Sequence, residues 1–570
     1  MSGLAARLLS RETWTGTPAG WIVGGGLVLA VAAGAIAAGG DSPWGSDRFF
    51  GALLVWGGVS LSFAALTLLS RVLRHGGAVG AVARVLVAEV VRRRVLAITT
   101  VLLFLALATV SSLLAENRMV EHRLESLVAY SLFITFTILS LMTLFVSAGS
   151  LAEEIDDRRI HSVVVKPVGR ARFLLGKWVG VVAIDTVLLA LAGGAIILSF
   201  ERTLSIARER GDDVAAAERL RIAHRAVGPE RSEELVARAK ERADERRRED
   251  PHLWNILVAE TGGDEESALL EFRRSAYRDL LAQWVTIPVG ERRTYRFPVG
   301  EIDAGGSSGT DLALHLAPQF AFRHSSERQR LLVTVAGETT SIFLGGEESR
   351  VLLVPASAVV EGSVSVEVEN ADLGGRGQPA SFIGKDRLAI EVPRGSFRTN
   401  LLCGLAIFLA QLSFIAALGT VAATFLGLPV AVLLSSLVLF AAAAGGAVVE
   451  LGDDPEKSAL ERALEVEAEH DHSGHDHSGH DHDHGHAHSH DPWQHASPFV
   501  RFLDESGRRF IGLFRAWGKA APIESVAAGR EIATDTFVGV LWRIGLAWTG
   551  AVAAIGACIF SRREIARVQV

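Results

Sequence analysis

The chain has 570 residues, a net charge of −7 at pH 7 and a hydrophobic content of 49%, with a mean hydropathy of +0.30. A soluble protein with 21% charged residues does not reach this hydropathy unless its apolar residues are clustered, and here they form long runs. Both cysteines, Cys403 and Cys558, fall inside such runs, which excludes a disulfide framework.

Eight apolar runs are each long enough to cross about 30 Å of hydrocarbon. Several are apolar all round the helix, which distinguishes them from amphipathic surface helices. Buried helices of a large soluble protein are the alternative, but so many such runs are difficult to bury in one soluble core. The sequence therefore predicts an α-helical polytopic membrane protein with about eight transmembrane helices, at 21–40, 50–70, 95–115, 127–150, 178–200, 401–425, 428–449 and 536–560.

The Lys and Arg content of the short loops predicts the orientation of these spans. Basic residues are concentrated in 71–94, in 152–177 and in the tail after 560, whereas 41–49 and 116–126 contain few. We therefore expect both termini in the cytosol, with the long regions 201–400 and 450–535 outside. A cleaved signal peptide is the alternative for 21–40, but its removal would leave an odd number of spans and invert the basic loops.

The segment 152–180, AEEIDDRRIHSVVVKPVGRARFLLGKWVG, separates two apolar runs and is strongly basic towards its end. It resembles a segment of the type 2 ABC transporter permease family, in which an acidic pair and a short helix precede Pro-x-x-Arg, an apolar pair (here Leu174 and Leu175), Gly-Lys and a new span. Residues 160–162 differ from the Gly-Thr-Leu usual in that family. In the family this segment is the coupling helix on which an ATPase subunit acts. The resemblance implies ATPase coupling through Glu153, Glu154, Arg158, Arg159, Pro167, Arg170, Gly176 and Lys177.

The resemblance also implies a layout for the membrane region, with an interfacial elbow helix leading into the first core span and the arginines 92–94 at anionic headgroups. We expect this order of parts: an extra pair of spans in 1–79; the elbow helix, core spans one to three and the coupling segment in 80–200; charged helices in 201–284; a β-sandwich in 285–398; core spans four and five in 399–450; an acidic, histidine-rich loop in 451–497; an interfacial amphipathic helix in 498–535; and the last span with a basic cytosolic tail in 536–570.

In the first long outer region, the spacing of charged and apolar residues changes along the chain from a helical to a strand-like pattern. Residues 201–250 mix Arg, Glu and Ala at helical spacing, which predicts solvated helices, and the nearly balanced charges disfavour nucleic-acid binding. A further helix is predicted at 266–284. Between 285 and 398 the period becomes two, and the short runs TYRFPV, DLALHL, RLLVTV, RVLLVP, SVSVEV and LAIEV predict the sandwich. Such domains bind proteins or sugars, or act as rigid spacers, and the sequence leaves these alternatives open.

A histidine-rich tract lies in the second outer region. Imidazole is a good ligand for Zn, Cu and Ni, and the interleaved Asp residues offer oxygen ligands. Because the tract has no fixed ligand shell, we predict metal capture rather than catalysis; a disordered linker that binds metal incidentally is the alternative. The candidate ligands are His470, His472, His475, His477, His480, His482, His484, His486, His488 and His490.

A phosphate-binding loop, G-x-x-x-x-G-K-[ST], does not occur in the sequence. We therefore expect no enzymatic activity and no catalytic cofactor in this chain. The resemblance implies a permease subunit in a bacterial-type cytoplasmic membrane, similar to those of multi-copper enzyme maturation systems. The expected partners are an ABC ATPase subunit, a second permease copy or paralogue, membrane lipid and an extracytoplasmic protein, without nucleic acid. The alternatives are a stand-alone divalent metal transporter that uses the histidine tract, and a membrane anchor that presents the β-domain.

Two charged residues lie inside predicted spans. Asp185 and Arg543 are each about 12 Å from the end at which their span enters the membrane, so in a core of about 30 Å their depths differ by about 6 Å. An isolated charge at that depth is costly, so a partner is expected. We predict that both face the protein interior and pair, within one subunit or across a dimer. The alternative is that Arg543 reaches the outer headgroups while Asp185 is protonated or caps a neighbouring helix.

Overall fold

The computed structural model describes residues 43–92, 95–114, 120–156, 169–212, 214–230, 233–260, 265–300, 312–320, 328–346, 348–371, 377–384, 387–452, 517 and 522–562. The predicted span 21–40, the coupling residues Arg158, Arg159 and Pro167, and the histidine tract lie outside these described residues. The chain divides into two compact units: one comprises Met1–Ala223, Gly395–Glu450 and Ser506–Val570, and the other comprises His224–Arg394 and Leu451–Glu505.

The first unit is helical. Its helices are α1 (Pro43–Val72), α2 (Gly77–Arg92), α3 (Val95–Leu113), α4 (Val120–Asp156), α5 (Arg170–Arg210), α6 (Ala215–Arg219), α10 (Phe397–Ala422), α11 (Leu428–Gly452), α12 (Pro522–Ala527), α13 (Thr534–Val540) and α14 (Thr549–Arg562). A π-helical segment, Leu541–Trp548, joins α13 to α14, and a short 3-10 turn, Leu73–His75, follows α1.

Several of these helices have the length and composition of membrane spans. Among the described residues, five helices qualify: Phe49–His75, Val120–Ile155, Arg170–Arg210, Phe397–Ala422 and Thr534–Arg562. A sixth is obtained if Gly77–Arg92 and Val95–Val110, which meet at a bend of 69°, form one broken span, and Leu428–Ala441 is a shorter apolar helix. The helices are those of a multi-pass membrane protein, and they lie where the hydropathy predicts spans.

The core of the helical unit is formed where α4, α5 and α10 pack against one another. Phe136 stacks on Phe408 with ring centroids 4.7 Å apart, and Phe200 stacks on Phe397 at 4.6 Å. Helix α10 begins where it does because the Ser396 hydroxyl accepts a hydrogen bond from the Thr399 amide at 3.2 Å, which satisfies one of the free N–H groups of the first turn. Aromatic contacts between neighbouring helices therefore fix how the three helices are packed.

The second unit contains helices and two four-stranded sheets. The helices are α7 (Glu233–Glu249), α8 (Pro251–Glu260) and α9 (Glu265–Trp284). The strands are β1 (Ile222–Val227), β2 (Thr286–Ile287), β3 (Arg292–Pro298), β4 (Leu312–Leu316), β5 (Gln329–Val335), β6 (Glu338–Leu344), β7 (Arg350–Val354), β8 (Ser363–Ala371), β9 (Ala380–Ser381) and β10 (Leu388–Ser396). The sheet orders are β1-β10-β4-β7 and β3-β8-β5-β6, and β2 pairs with β9 separately.

Side chains from both four-stranded sheets form one buried apolar cluster. Tyr295, Phe297 and Val366 come from one sheet, and Leu314 and Ile390 come from the other, and all five are fully buried. Alternate residues point inwards along β3 and β8, as expected for strands with one buried face. The six predicted β-type runs are confirmed as β3, β4, β5, β7, β8 and β10, and the predicted helix at 266–284 is confirmed as α9.

Four of these strands were not predicted: β1, β2, β6 and β9. The sequence of β6, ETTSIFL, begins with exposed polar residues and lacks a clear alternation, although it pairs along its whole length with β5. The prediction of solvated helices across 201–250 is wrong at Ile222–Val227, which forms strand β1 beside β10. Pairing with the edge of a sheet outweighs the local helical pattern there, because a short segment gains more hydrogen bonds from the strand than from an isolated helical turn.

Candidate functional site

The first two turns of α5 bring together several residues of the predicted coupling pattern. The side chain of Lys177 is 1% exposed, and its ammonium donates to Glu154 Oε1 at 2.7 Å and to the Ser150 carbonyl oxygen at 3.3 Å. Ser150 and Glu154 are four residues apart, so they lie on the same face of α4. The contact therefore joins the last turn of α4 to the second turn of α5.

A third helix contributes a second carboxylate. Glu89 Oε2 of α2 lies 3.9 Å from the Lys177 ammonium, and the Phe173 ring centroid lies 5.8 Å from it. We call Glu89, Glu154 and Lys177 the lysine cluster. Its two carboxylates and one ammonium carry a formal charge of −1, and Glu154 Oε2 is buried and accepts no hydrogen bond from the residues that the structure describes.

Because the lysine cluster is largely buried, its contribution to stability depends strongly on the distances between its charged groups. Removing two charges from water costs several kcal/mol per ion. The attraction between the two charges offsets this cost only when they lie close together and their remaining hydrogen-bonding groups are satisfied. Replacing such a pair with apolar residues is often neutral or stabilising, so stability alone does not explain its presence. A role in specifying the arrangement of α2, α4 and α5 is the better explanation.

Two glycines of α5 allow α2 to approach closely. A Cβ atom at Gly176 would lie 2.6 Å from Val82 Cβ and 2.9 Å from the Val79 carbonyl oxygen. A Cβ atom at Gly180, one turn further on, would lie 3.1 Å from the Ala83 carbonyl oxygen. Small residues at this spacing let two helix backbones pack closely in membranes. The predicted coupling residue Gly176 therefore positions α2, and with it Glu89, against α5.

Arg170 connects the start of α5 to the end of α14. Its guanidinium donates to the carbonyl oxygens of Phe560 at 3.3 Å and Ser561 at 3.0 Å, in the last turn of α14. A cation is favourable there because the carbonyl groups at the C-terminus of a helix carry partial negative charge. The rings of Phe173 and Phe560 stack beside this contact, with centroids 6.5 Å apart. Arg170 thus contacts its own chain, and a contact with an ATPase subunit stays a prediction.

The apolar pair of the pattern has one buried member and one exposed member. Leu174 is 4% exposed and packs with Ala152 and Phe560 in a small apolar cluster, whereas Leu175 is 42% exposed. Glu153 is half-buried on the last turn of α4. Of the predicted set, the structure therefore brings Glu154 and Lys177 into contact, whereas Gly176 packs against α2 and Arg170 contacts α14.

Asp185 has a different partner from the one its depth predicts. Its side chain is fully buried between α5 and α4, and the Thr143 hydroxyl lies 2.9 Å from both carboxylate oxygens. Arg543 lies in the π-helical segment and is exposed. Within the described residues the two charges form no ion pair in one chain, because Arg543 is directed away from the helix core. Pairing across a dimer stays a prediction.

Glu89 is the member of the lysine cluster that sequence reasoning missed. The sequence offered one signal, because Glu89 is the only acidic residue between 71 and 94, a segment rich in arginine. Among the described residues, no group of three or more His, Cys, Asp or Glu side chains has the arrangement of a metal site. The histidine tract lies outside those residues, so its binding of Zn, Cu or Ni stays a prediction.

Comparisons of this chain with protein-family models, with curated proteins and with solved structures identified no match. The geometry around Lys177, together with the membrane-length helices, is therefore the basis on which a function is inferred.

Proposed function

We propose that this chain is the membrane permease subunit of an ABC transporter, and that a separate ATPase subunit supplies the energy for transport or for maturation work outside the membrane. The observation that carries the proposal is the buried contact between Glu154 and Lys177. These residues flank the segment 157–168 in the sequence, at the positions where the resembled coupling helix has its acidic residue and its Gly-Lys lysine.

In this proposal the lysine cluster transmits force. A displacement of 157–168 by the ATPase moves the end of α4 and the start of α5 together, because the Glu154–Lys177 contact holds them at 2.7 Å. Glu89 extends the connection to α2, and Arg170 extends it to the end of α14. A charged contact in a low-dielectric environment loses much of its energy when its geometry changes, so such a cluster favours two discrete arrangements of the helices over a continuous deformation.

The proposal includes a wider architecture. We infer eight spans with both termini in the cytosol, in a bacterial-type cytoplasmic membrane, and a second permease copy or paralogue as partner. The region 285–398 is a β-sandwich outside the membrane, an inference supported by the buried cluster that its two sheets share. The histidine tract lies on the same side and captures Zn, Cu or Ni, which fits a role in the maturation of multi-copper enzymes.

The test of this proposal measures nucleotide-dependent movement in the complex. The full chain is purified from its native membranes with the phosphate-loop ATPase that we expect to accompany it. Spin labels are placed on the exposed residues Val85 of α2 and Leu402 of α10, after replacement of Cys403 and Cys558 with serine. We expect the distance between the labels to change when ATP is bound.

Two variants make the test specific. Glu154→Ala should abolish the distance change without preventing membrane insertion or ATPase binding. The control Glu125→Ala lies near the opposite end of α4, where the carboxylate contacts His122 at 3.4 Å, and should behave as the wild type. Absence of an associated ATPase, or an unaltered distance change in Glu154→Ala, would contradict the proposal.

A further inference from the structure

An apolar groove lies between α5, α10 and α14, with a volume of about 210 Å³. It is open on one side, because its lining residues Ala171 and Leu175 are exposed. All three helices belong to segments of membrane-spanning length, so the open side faces lipid when the chain is inserted. The rest of the lining includes Leu174, Trp178, Ala417, Thr420, Ala553 and Ala557.

The chemistry of the lining selects an apolar ligand. The Thr420 hydroxyl donates to the Ala416 carbonyl oxygen at 2.7 Å, and the Trp178 indole N–H donates to the Ser413 carbonyl oxygen at 3.0 Å. Both polar side chains of the lining therefore satisfy their donors within the protein. The groove is also smaller than the roughly 300–1,000 Å³ that is typical of pockets for drug-sized molecules. A single linear hydrocarbon chain matches these properties.

One end of the groove is positively charged. Arg172 is exposed and adjoins Ala171 of the lining, and Arg562 is exposed at the end of α14. The two ends of these helices are held together because the Arg170 guanidinium donates to the Ser561 carbonyl oxygen at 3.0 Å. Two accessible guanidinium groups at the edge of a lipid-facing groove are complementary to a phosphate headgroup.

We propose that the groove binds one acyl chain of an anionic phospholipid, with the lipid phosphate between Arg172 and Arg562. The alanines at 417, 553 and 557 leave the space that the chain fills, and Trp178 contacts it along its length. The inference requires only that the chain is inserted in a membrane, and it does not depend on the transport function proposed above.

Trp178 provides the measurement. The full chain is placed in nanodiscs that contain either phosphatidylglycerol or phosphatidylcholine with brominated acyl chains, which quench tryptophan fluorescence on contact. The contribution of Trp178 is the difference between the wild type and Trp178→Phe. We expect brominated phosphatidylglycerol to quench this contribution at lower mole fraction than brominated phosphatidylcholine. Removal of each arginine, in Arg172→Gln and Arg562→Gln, should reduce the preference about fivefold, and Arg71→Gln, at an exposed arginine of α1, should not.

A filling variant and its control identify the groove as the site. Ala553→Leu should prevent the quenching of Trp178, and Ala554→Leu, at the exposed neighbouring position, should leave it unchanged. Equal quenching of the wild type by both lipids would overturn the proposal, because it indicates ordinary boundary lipid. Quenching that persists in Ala553→Leu would overturn it too. A dimer that dissociates in Ala553→Leu but not in Ala554→Leu, without quenching in the wild type, would show that a second copy occupies the groove instead.

Discussion

The Lys177 ammonium and the Glu154 carboxylate lie 2.7 Å apart, and they come from the two helices that the segment 157–168 connects. The lysine is 1% exposed and the glutamate 16% exposed, so the contact is largely removed from water. This pair links the last turn of α4 to the second turn of α5. Removing one partner of a buried pair lowers the free energy of unfolding more than removing one partner of a surface pair, and this difference can be measured.

Removing one partner of the pair should cost more than removing both. Lys177→Met removes the cation from the largely buried Glu154 carboxylate, and we expect a loss of about 3–5 kcal/mol in the free energy of unfolding. The double variant Lys177→Met with Glu154→Gln should recover part of this loss. The measurement is unfolding in mixed micelles titrated with dodecyl sulfate. The control is Arg208→Met, whose partner Glu218 is also exposed, and which should cost at most about 1 kcal/mol. Strictly additive losses in the double variant would show that the pair is not coupled.

Gly176 and Gly194 lie on the same helix and should respond in opposite ways to the same substitution. Gly176→Ala places a methyl group against Val82 and the backbone of Val79, and we expect a loss of about 1–3 kcal/mol. Gly194 has nothing within 4 Å of the added methyl group, so Gly194→Ala should be neutral or stabilising by up to about 1 kcal/mol. The same unfolding measurement compares the two variants. A neutral Gly176→Ala would mean that α2 is not packed closely on α5.

The Thr143 hydroxyl should contribute to stability through Asp185. Thr143→Val keeps the shape of the side chain but removes the hydroxyl that lies 2.9 Å from the carboxylate oxygens, and we expect a loss of about 1–2 kcal/mol. The matched change Thr137→Val removes an exposed hydroxyl that donates to the Phe133 carbonyl oxygen of its own helix, and should alter stability by less than about 0.5 kcal/mol. Equal effects of the two substitutions would argue against a stabilising Thr143–Asp185 contact.

Tyr295 should give the second unit a pH dependence at high pH. Burial raises the pKa of Tyr295 to about 12, opposed by the nearby Arg293, and the hydroxyl donates to the Trp284 carbonyl oxygen at 3.1 Å. In the unfolded chain the phenol loses its proton near pH 10. The stabilisation is therefore complete below about pH 10 and is lost as the pH rises towards 12. Tyrosinate absorbance of the folded chain should show a late titration step that Tyr295→Phe removes. Persistence of that step in the variant would assign it to another residue.

The sequence predicted the helices and strands better than it predicted the partners of buried charged residues. Hydropathy located the membrane-length helices because each run is apolar along its whole length, and the period of two located six strands. Glu154 and Lys177 both belong to the predicted coupling pattern, although their contact with each other was not predicted. Glu89 lies outside that pattern, and its contact depends on the close packing of α2 on α5 at Gly176, a tertiary property that no local pattern contains.

The predicted pairing of Asp185 with Arg543 illustrates a further limit. Counting residues along two spans estimates the depth of each side chain, but not the direction in which it points around its helix. Arg543 lies in a π-helical segment, where the number of residues per turn departs from that of an α-helix, and it is exposed. Asp185 meets Thr143 of the neighbouring α4 instead. Within one chain, the direction in which each side chain points around its helix, rather than its depth in the membrane, determines that Asp185 contacts Thr143 and not Arg543.

The assignment of this chain as an ABC permease subunit is tested most directly by a site-specific cross-link from the segment 157–168. A photoreactive amino acid at His161 is introduced into the full chain in its native membrane, and the captured proteins are identified by mass spectrometry. The same residue at Ser307, in the region expected outside the membrane, is the control. We expect the photoreactive residue at 161 to capture an ATPase with a phosphate-binding loop, and the one at 307 to capture none. Capture of no ATPase from His161, or equal capture from both positions, would contradict the assignment of this chain as an ABC permease subunit.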